Sequence, residues 1–254
     1  MSAPATSTIQ APHPRNVEVI ETLFLDKPSE LSIGIVVLVF NEAAILEGAL
    51  ERLRRLAGHC QVVVADGGSV DGSAQIARKF FPTAVCPQAN RGVQQNRGAA
   101  CLSTDALLFL HADSQLPEGF ELQIQRALRD SRVAGGCFRL RFDAPHPMLR
   151  FYCWFTQFPG RLFHFGDQAF FVRREVFERM AGFRTLPFLD DVDFVRRLRS
   201  YGRFTVLPVA VVTSARRFLR RGVVRQQLRN ILLVLLFELG VPAARLARFY
   251  PHDR

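Results

Sequence analysis

Three acidic stretches hold the residue types that could do chemistry. His111-Ala-Asp113 places an imidazole and a carboxylate two residues apart, at the end of the apolar run Ala106-Leu-Leu-Phe-Leu110. At a strand exit such a pair can share a divalent cation that holds a diphosphate and neutralises a leaving group. Oxygen donors suit Mg2+ or Mn2+, and the imidazole moves the balance toward Mn2+. The competing reading makes Asp113 a turn or cap residue and His111 a satisfied loop histidine.

Asp66-Gly-Gly-Ser-Val-Asp-Gly-Ser73 is a Gly/Asp-rich turn. It can set a carboxylate against a ribose or base and turn backbone N–H groups toward a ligand. It is neither a Walker loop nor a G-x-G-x-x-G fingerprint, and an ordinary tight turn with a helix cap fits it too. Asp190-Asp191-Val-Asp193 opens a predicted helix. The helix dipole favours carboxylates there, and one at the mouth of a site can accept a proton from an attacking hydroxyl. The alternative is capping, with Asp190 as the cap and Asp193 a solvated first-turn residue.

The elements that must position these residues read as strand–helix repeats. Ile33 to Val39 is a continuous apolar run, as in a buried parallel strand. Asn41 is placed to cap a helix in which Ile45, Leu46, Ala49, Leu50, Leu53 and Leu56 recur at helical spacing. A strand at Gln61–Ala65 precedes a helix over Ala74–Phe80. A helix over Gln94–Cys101 precedes the strand Ala106–Leu110, and Pro117 suits the first turn of a helix reaching Asp130. Three such repeats predict a doubly wound α/β sheet, whose ligands bind beyond the carboxyl ends of the strands. Asn41, Asp66 and His111–Asp113 all fall at such ends.

Further along, strands are expected at Val133–Phe142 and Gln168–Val172. Between them runs an aromatic stretch with Phe151, Tyr152, Trp154, Phe155, Phe158, Phe163 and Phe165, read as core and lid packing or as an apolar surface for an acceptor. A helix over Asp190–Tyr201, short strands at Phe204–Leu207 and Val209–Val212, and a helical region over Leu219–Leu239 complete the expectation.

Composition sets the bounds. With 48% hydrophobic and 22% charged residues among 254, the chain is a folded globular protein rather than a disordered one. Its longest wholly apolar run, Ile231 to Phe237, is too short to span a bilayer. Five cysteines without C-x-x-C spacing point to reduced, mostly buried thiols in a cytoplasmic protein. The net charge of +10 is uneven: residues 196–254 hold 13 Arg against two acids, residues 1–195 hold 20 basic against 21 acidic. Arg220, Arg221, Arg225 and Arg229 lead into the apolar run Ile231–Phe237. That combination suits peripheral contact with the inner face of an anionic membrane, or packing on the domain or a second subunit.

Taken together and in order, six segments resemble the family 2 glycosyltransferases of the GT-A type, from about Ser32 to Arg217. They are Val39-Phe40-Asn41-Glu42, the Asp66–Ser73 turn, Leu108-Phe-Leu-His-Ala-Asp113, Gly166-Asp167-Gln168, Asp190-Asp191 and Ser214-Ala-Arg-Arg217. They are most similar to a bacterial subgroup with H-A-D in place of D-x-D. The resemblance implies a nucleotide-diphosphate sugar donor, a divalent cation and inversion at the anomeric carbon. It places Phe40, Asn41, Glu42, Asp66, Arg91, Gln94, Asn96, Ala112 and Asp113 around the donor, with Asp66 on the base or ribose. Asp113, with His111, would hold the metal. Asp191 would be the general base supported by Asp190, Gly166, Asp167 and Gln168 would lie near the acceptor, and Arg216 and Arg217 would close over the diphosphate. Three positions depart from the family pattern: Gly67 stands for a second acid, His111 for the first acid of D-x-D, and Asp190 for Glu.

The expected architecture is a GT-A-like doubly wound mixed sheet, with a Rossmann-like nucleotide half and an acceptor half. A flexible tail (1–30), a glycosyltransferase domain (31–217) and a basic, apolar helical extension (218–254) would make up the chain. The hydroxyl acceptor is open and can be lipid-linked; oligomeric state is open as well. Two other readings stand beside this one. A sugar-phosphate nucleotidyltransferase would need a Gly-rich basic loop after the first strand, where Phe40-Asn-Glu-Ala stands instead. A basic nucleic-acid-binding module lacks any accompanying motif, so no nucleic-acid partner is expected.

Overall fold

The first strand shows why this sequence makes a two-faced sheet. In β1 (Ile33–Val39) every residue is buried. Ile33, Ile35, Val37 and Val39 pack in one cluster with Leu46, Leu50 and Leu53 of α1 (Ala43–Leu56). Val36 and Leu38 pack on the other face with Ala99, Phe177 and Phe194. A period of two with apolar residues on both faces is what burial between two helical layers demands, and each such side chain contributes about 1.5–3 kcal/mol. The computed structural model describes residues 31–158, 160 and 164–249. The expected tail, Phe163 of the aromatic stretch and the last five residues lie outside them.

The chain continues through β2 (Gln61–Asp66), α2 (Ser73–Arg78), β3 (Thr83–Val85), α3 (Arg91–Ala100), β4 (Ala106–His111) and β5 (Ser114–Gln115). Then follow α4 (Phe120–Leu128), β6 (Val133–Phe142), α5 (Pro147–Phe155), a 3-10 turn (Gly166–Gln168), β7 (Phe170–Arg173) and α6 (Arg174–Arg179). The last elements are α7 (Asp190–Leu198), β8 (Arg203–Thr213), α8 (Arg216–Arg221), α9 (Val223–Glu238) and α10 (Ala243–Leu246), with a final 3-10 turn at Ala247–Phe249.

The strands form one mixed sheet in the order β3-β2-β1-β4-β7-β6-β8-β5. β3, β2, β1 and β4 are mutually parallel. β7 then runs antiparallel to both β4 and β6. A parallel half is thus joined to a mixed half, as expected of a doubly wound mixed sheet. A third apolar cluster fastens the C-terminal helices: Leu233, Val234 and Phe237 of α9 pack with Phe188, Leu189 and Val192 at the start of α7. No described helix is long and apolar enough to cross a membrane.

Several local expectations are corrected. Asn41 does not cap α1; it takes a positive φ of 53° and Glu42 occupies the cap position. Pro117 precedes the helix, which starts at Phe120 after a left-handed Gly119. The two runs after Gly202 form a single strand, β8, whose register against β6 jumps between Leu207 and Ala210. Pro208 lies in that jump, where a residue without an N–H interrupts a ladder at least cost. The long C-terminal helix is broken at Gly222, whose φ of 81° suits glycine. The aromatic stretch includes a helix, α5, that begins with Pro147 behind the cap His146. All five cysteines are free, though only Cys86 and Cys137 are fully buried.

Candidate functional site

The carboxyl ends of β1, β2 and β4 converge, and the loops that leave them are braced before any ligand arrives. Asp66 has no exposed surface. Its Oδ1 accepts from the N–H groups of Gly68 and Ser69 at 2.9 Å, and its Oδ2 accepts from Ser69 Oγ at 2.6 Å. The Asp66 carboxylate thus braces its own turn, and the residue does not line the cleft above the strand ends. Asn41 locks onto the same turn, donating its N–H to Ser69 Oγ and accepting from Val70 N–H. Asp71, across from it, accepts from Ala43 N–H and supplies the α1 cap that Asn41 does not.

Gln94 is buried and its Nε2 donates to the carbonyls of Val39 and Ala65, both at 2.9 Å. It ties the ends of β1 and β2 together while its side chain lines the cleft. Asn96, by contrast, pairs with both backbone groups of Phe183 at 2.8 Å, away from the cleft walls. It holds α3 to the loop before α7 and is absent from the lining of the cleft.

A cleft of about 620 Å³ opens over these strand ends. Phe40, Asn41, Glu42, Arg91, Gln94, His111, Ala112, Asp113, Arg216 and Arg217 all line it, as do Arg220 and Arg221, which the sequence reading had not assigned to the site. Arg216 meets Glu42 at 2.8 Å. Burial pushes the Asp113 carboxyl up to about 6; the Asp167 and Glu42 charges add to the rise, and Arg217 and Arg216 oppose it. The cleft thus sets a crowded group of acids beneath a row of guanidinium groups.

Among the described residues no three or more His, Cys, Asp or Glu side chains gather as a ready-made metal cage. Asp113 and His111 nonetheless fit a cation of the Mg2+ or Mn2+ kind. Such ions commonly take one or two protein ligands and fill their remaining positions with water and phosphate oxygens. The acid crowding around Asp113 is a charge arrangement that a cation relieves.

A second compartment, of about 350 Å³, shares Phe40, Arg91, Arg217 and Arg221 with the first. Asp167, Asp190 and Asp191 line it, together with Tyr152 and Phe188. Asp191 Oδ2 accepts from Gly166 N–H at 3.0 Å, and its Oδ1 accepts from Val192 N–H at 2.8 Å. A carboxylate oxygen offers two lone-pair sites, so each retains one for an incoming hydroxyl. Asp190 is 1% exposed and meets Arg91 at 2.5 Å, while its Oδ2 has no hydrogen-bond partner. Burial raises its proton affinity above the usual carboxylate range; Arg91 pulls the other way, and Asp191's charge adds to the rise.

Two sequence-level assignments resolve into scaffolding. Gln168 is wholly buried, with Nε2 donating to Phe138 O and Oε1 accepting from Phe165 N–H, so it shapes the turn that presents Gly166 and Asp167. Asp193 is not solvated: it is 1% exposed and paired with Arg184, Arg196 and Arg197. Tyr152 and Arg221 reach the site from elements far along the chain, and no local motif marks them.

The comparisons with known proteins agree with this architecture. No curated protein matches the chain by sequence. Among solved structures, the chain is similar to the mannosyltransferase PcManGT from Pyrobaculum calidifontis, in complex with GDP-Man and Mn2+. The TM-score is 0.58 at 18% identity, covering 73% of this chain and 57% of that one. It is also similar to S. aureus TarS 1-349 in complex with UDP-GlcNAc, with a TM-score of 0.59 at 13% identity, covering 72% of this chain and 58% of that one. The chain thus spans less than two thirds of the length of either. The model of Glycosyl transferase family 2 matches residues 34–186, the segment that carries β1, β2 and β4 and the loops at their ends. With more than half of its length matched, the chain belongs to glycosyl transferase family 2.

Proposed function

We propose that this protein transfers a sugar, with inversion, from a nucleotide-diphosphate sugar to a hydroxyl acceptor. The observation that carries the reading is the shared wall around Gly166. A Cβ on that glycine would stand 2.9 Å from His111 Nε2 and 3.5 Å from Asp191 Oδ2. The cation-binding side of the cleft and the candidate base therefore meet at one backbone position.

In this reading the donor lies in the larger cleft, with its diphosphate toward Asp113 and the guanidinium groups of Arg216 and Arg217. Planar forked donors suit phosphate oxygens. A divalent cation held by Asp113 and His111 would supply charge neutralisation for the leaving diphosphate. Asp191 accepts the acceptor's hydroxyl proton as that oxygen forms a bond to the anomeric carbon. The anomeric carbon–diphosphate bond breaks at the same time, and the nucleotide diphosphate departs with the electron pair. Gly166 holds Asp191 in place through its N–H, and Arg91 anchors Asp190 beside it. Arg216, Arg217, Arg220 and Arg221 all line the cleft. That placement supports a diphosphate, rather than a nucleic acid, as the partner of this part of the basic segment.

The test pairs binding with turnover. A thermal-shift panel of UDP- and GDP-sugars, with and without Mn2+, should give a metal-enhanced rise in melting temperature. Asp191→Asn should then keep that rise and lose transfer. Normal turnover in Asp191→Asn removes Asp191 as the base, and a panel without any response removes the donor assignment.

A further inference from the structure

We propose that the acceptor is an amphiphile whose hydroxyl head reaches Asp191 while its apolar chain lies in a groove between α5 and α9. The inference rests on the glycosyl-transfer reading above and names the substrate class for its acceptor side. The groove has a volume of about 470 Å³. Met148, Phe151 and Phe155 of α5 form one wall, and Val224, Leu228, Ile231 and Leu235 of α9 form the other. Tyr152, Phe165 and Val234 line both this groove and the compartment that contains Asp190 and Asp191. The apolar groove therefore adjoins the compartment of the candidate base, with these three side chains as the common wall.

Three properties select a chain as the occupant. The wall of α9 repeats at intervals of four, three and four residues, which keeps Val224, Leu228, Ile231 and Leu235 on one side of the helix. That stripe runs for about 16 Å at the helical rise, an elongated track. Its side chains are left open to water: Phe151 is 59% exposed, Leu228 63% and Ile231 46%. A contiguous exposed apolar surface of this kind marks a binding site. Finally, Leu233, Val234 and Phe237 of α9 pack onto Phe188, Leu189 and Val192, beside Asp190 and Asp191. The track and the base are thereby held by one apolar cluster. A membrane surface or a docked helix would cover the stripe, but neither accounts for the wall it shares with the reactive compartment.

The single tryptophan of the chain provides a reporter, because Trp154 packs against Phe155 at 5.1 Å between ring centroids. The experiment titrates dodecanol and butanol into the full chain and follows Trp154 emission, with donor thermal shifts measured in parallel. A saturable response to dodecanol and none to butanol is expected. Leu228→Asp and Phe151→Ser should each weaken the dodecanol response about tenfold or more, the effect of losing one buried apolar side chain. Leu232→Asp, at an exposed leucine of α9 that does not line the groove, should keep it. The absence of a saturable dodecanol response overturns the inference, as does equal loss in Leu232→Asp. So does binding to phosphatidylcholine–phosphatidylglycerol vesicles that dodecanol fails to compete, which would make the stripe a membrane-resting face. A donor thermal shift without a dodecanol response overturns this inference alone. No donor shift at all removes the glycosyl-transfer reading and the acceptor role with it.

Discussion

The backbone N–H of Gly166 donates to Oδ2 of Asp191 at 3.0 Å, joining the turn before β7 to the first turn of α7. The absence of a side chain at 166 is what lets His111 approach the same spot, since a Cβ there would stand 2.9 Å from its Nε2. Gly166→Ala should therefore displace the imidazole or the turn by a few tenths of an ångström while leaving the core intact. Misplacing reacting groups by such amounts is costly, so we expect turnover to fall on the order of tenfold to a hundredfold. Transfer rates measured beside circular dichroism check this; unchanged turnover in a folded variant would show that the close approach has no catalytic role.

Arg91 and Asp190 form another long-range contact of the site. Arg91→Met keeps much of the apolar stem and removes the cation, leaving a carboxylate that is 1% exposed without a counter-charge. Breaking a buried pair in this way costs about 3–5 kcal/mol. Asp190 already binds its proton more tightly folded than unfolded, mainly through burial, and loss of Arg91 strengthens that preference. The folded variant is thus favoured at low pH and penalised as pH rises through the raised value. Urea denaturation should show a larger deficit near pH 8 than near pH 5, and a deficit that is flat or reversed with pH would exclude this account.

Arg217 lines both the larger cleft and the compartment of Asp191. If it lies over the diphosphate, Arg217→Ala removes charge-assisted hydrogen bonds of about 1.5–3 kcal/mol. Calorimetric titration with a nucleoside diphosphate should then show affinity lowered by about tenfold or more. Equal affinity in both proteins would place the diphosphate elsewhere.

What the sequence made legible were the strand exits. The apolar runs of β1, β2 and β4 forced burial on both faces, so His111, Asp113 and Glu42 had to emerge at one edge. Polar residues near these strand ends were harder to read, because residue type does not say whether a side chain faces the cleft or the scaffold. Asp66, Gln94, Asn96 and Gln168 all satisfy backbone groups, and for three of them the partner is a strand or loop dozens of residues away. Asp193 looked solvated because the first turn of a helix is normally exposed; Arg184, ahead of the helix, and Arg196 and Arg197, one turn on, close over it. The break at Gly222 was likewise hidden by apolar periodicity on both sides of it.

His164 provides a test of the scaffold behind the site. It is 1% exposed, its Nδ1 lies 3.3 Å from Gln168 Oε1 and 3.5 Å from Cys137 Sγ, and its Nε2 has no hydrogen-bond partner. Burial, and then the Arg199 charge, push its pKa down to about 4, against a smaller opposing pull from the Gln168 hydrogen bond. In the unfolded chain the same imidazole titrates near 6.5. Between those values the unfolded state binds a proton that the folded state refuses, so stability is fully present above about pH 6.5 and is lost as pH falls toward 4. A shift of this size corresponds to about 3 kcal/mol. Carboxylates also titrate at the acid end, so the comparison is between proteins: His164→Phe removes this ionisation and leaves the others in place. The stability difference between wild type and His164→Phe should move in favour of the variant by about 3 kcal/mol from pH 7 to pH 4. A difference that stays constant across that range would mean that the imidazole is protonated in the folded protein as readily as in the unfolded one.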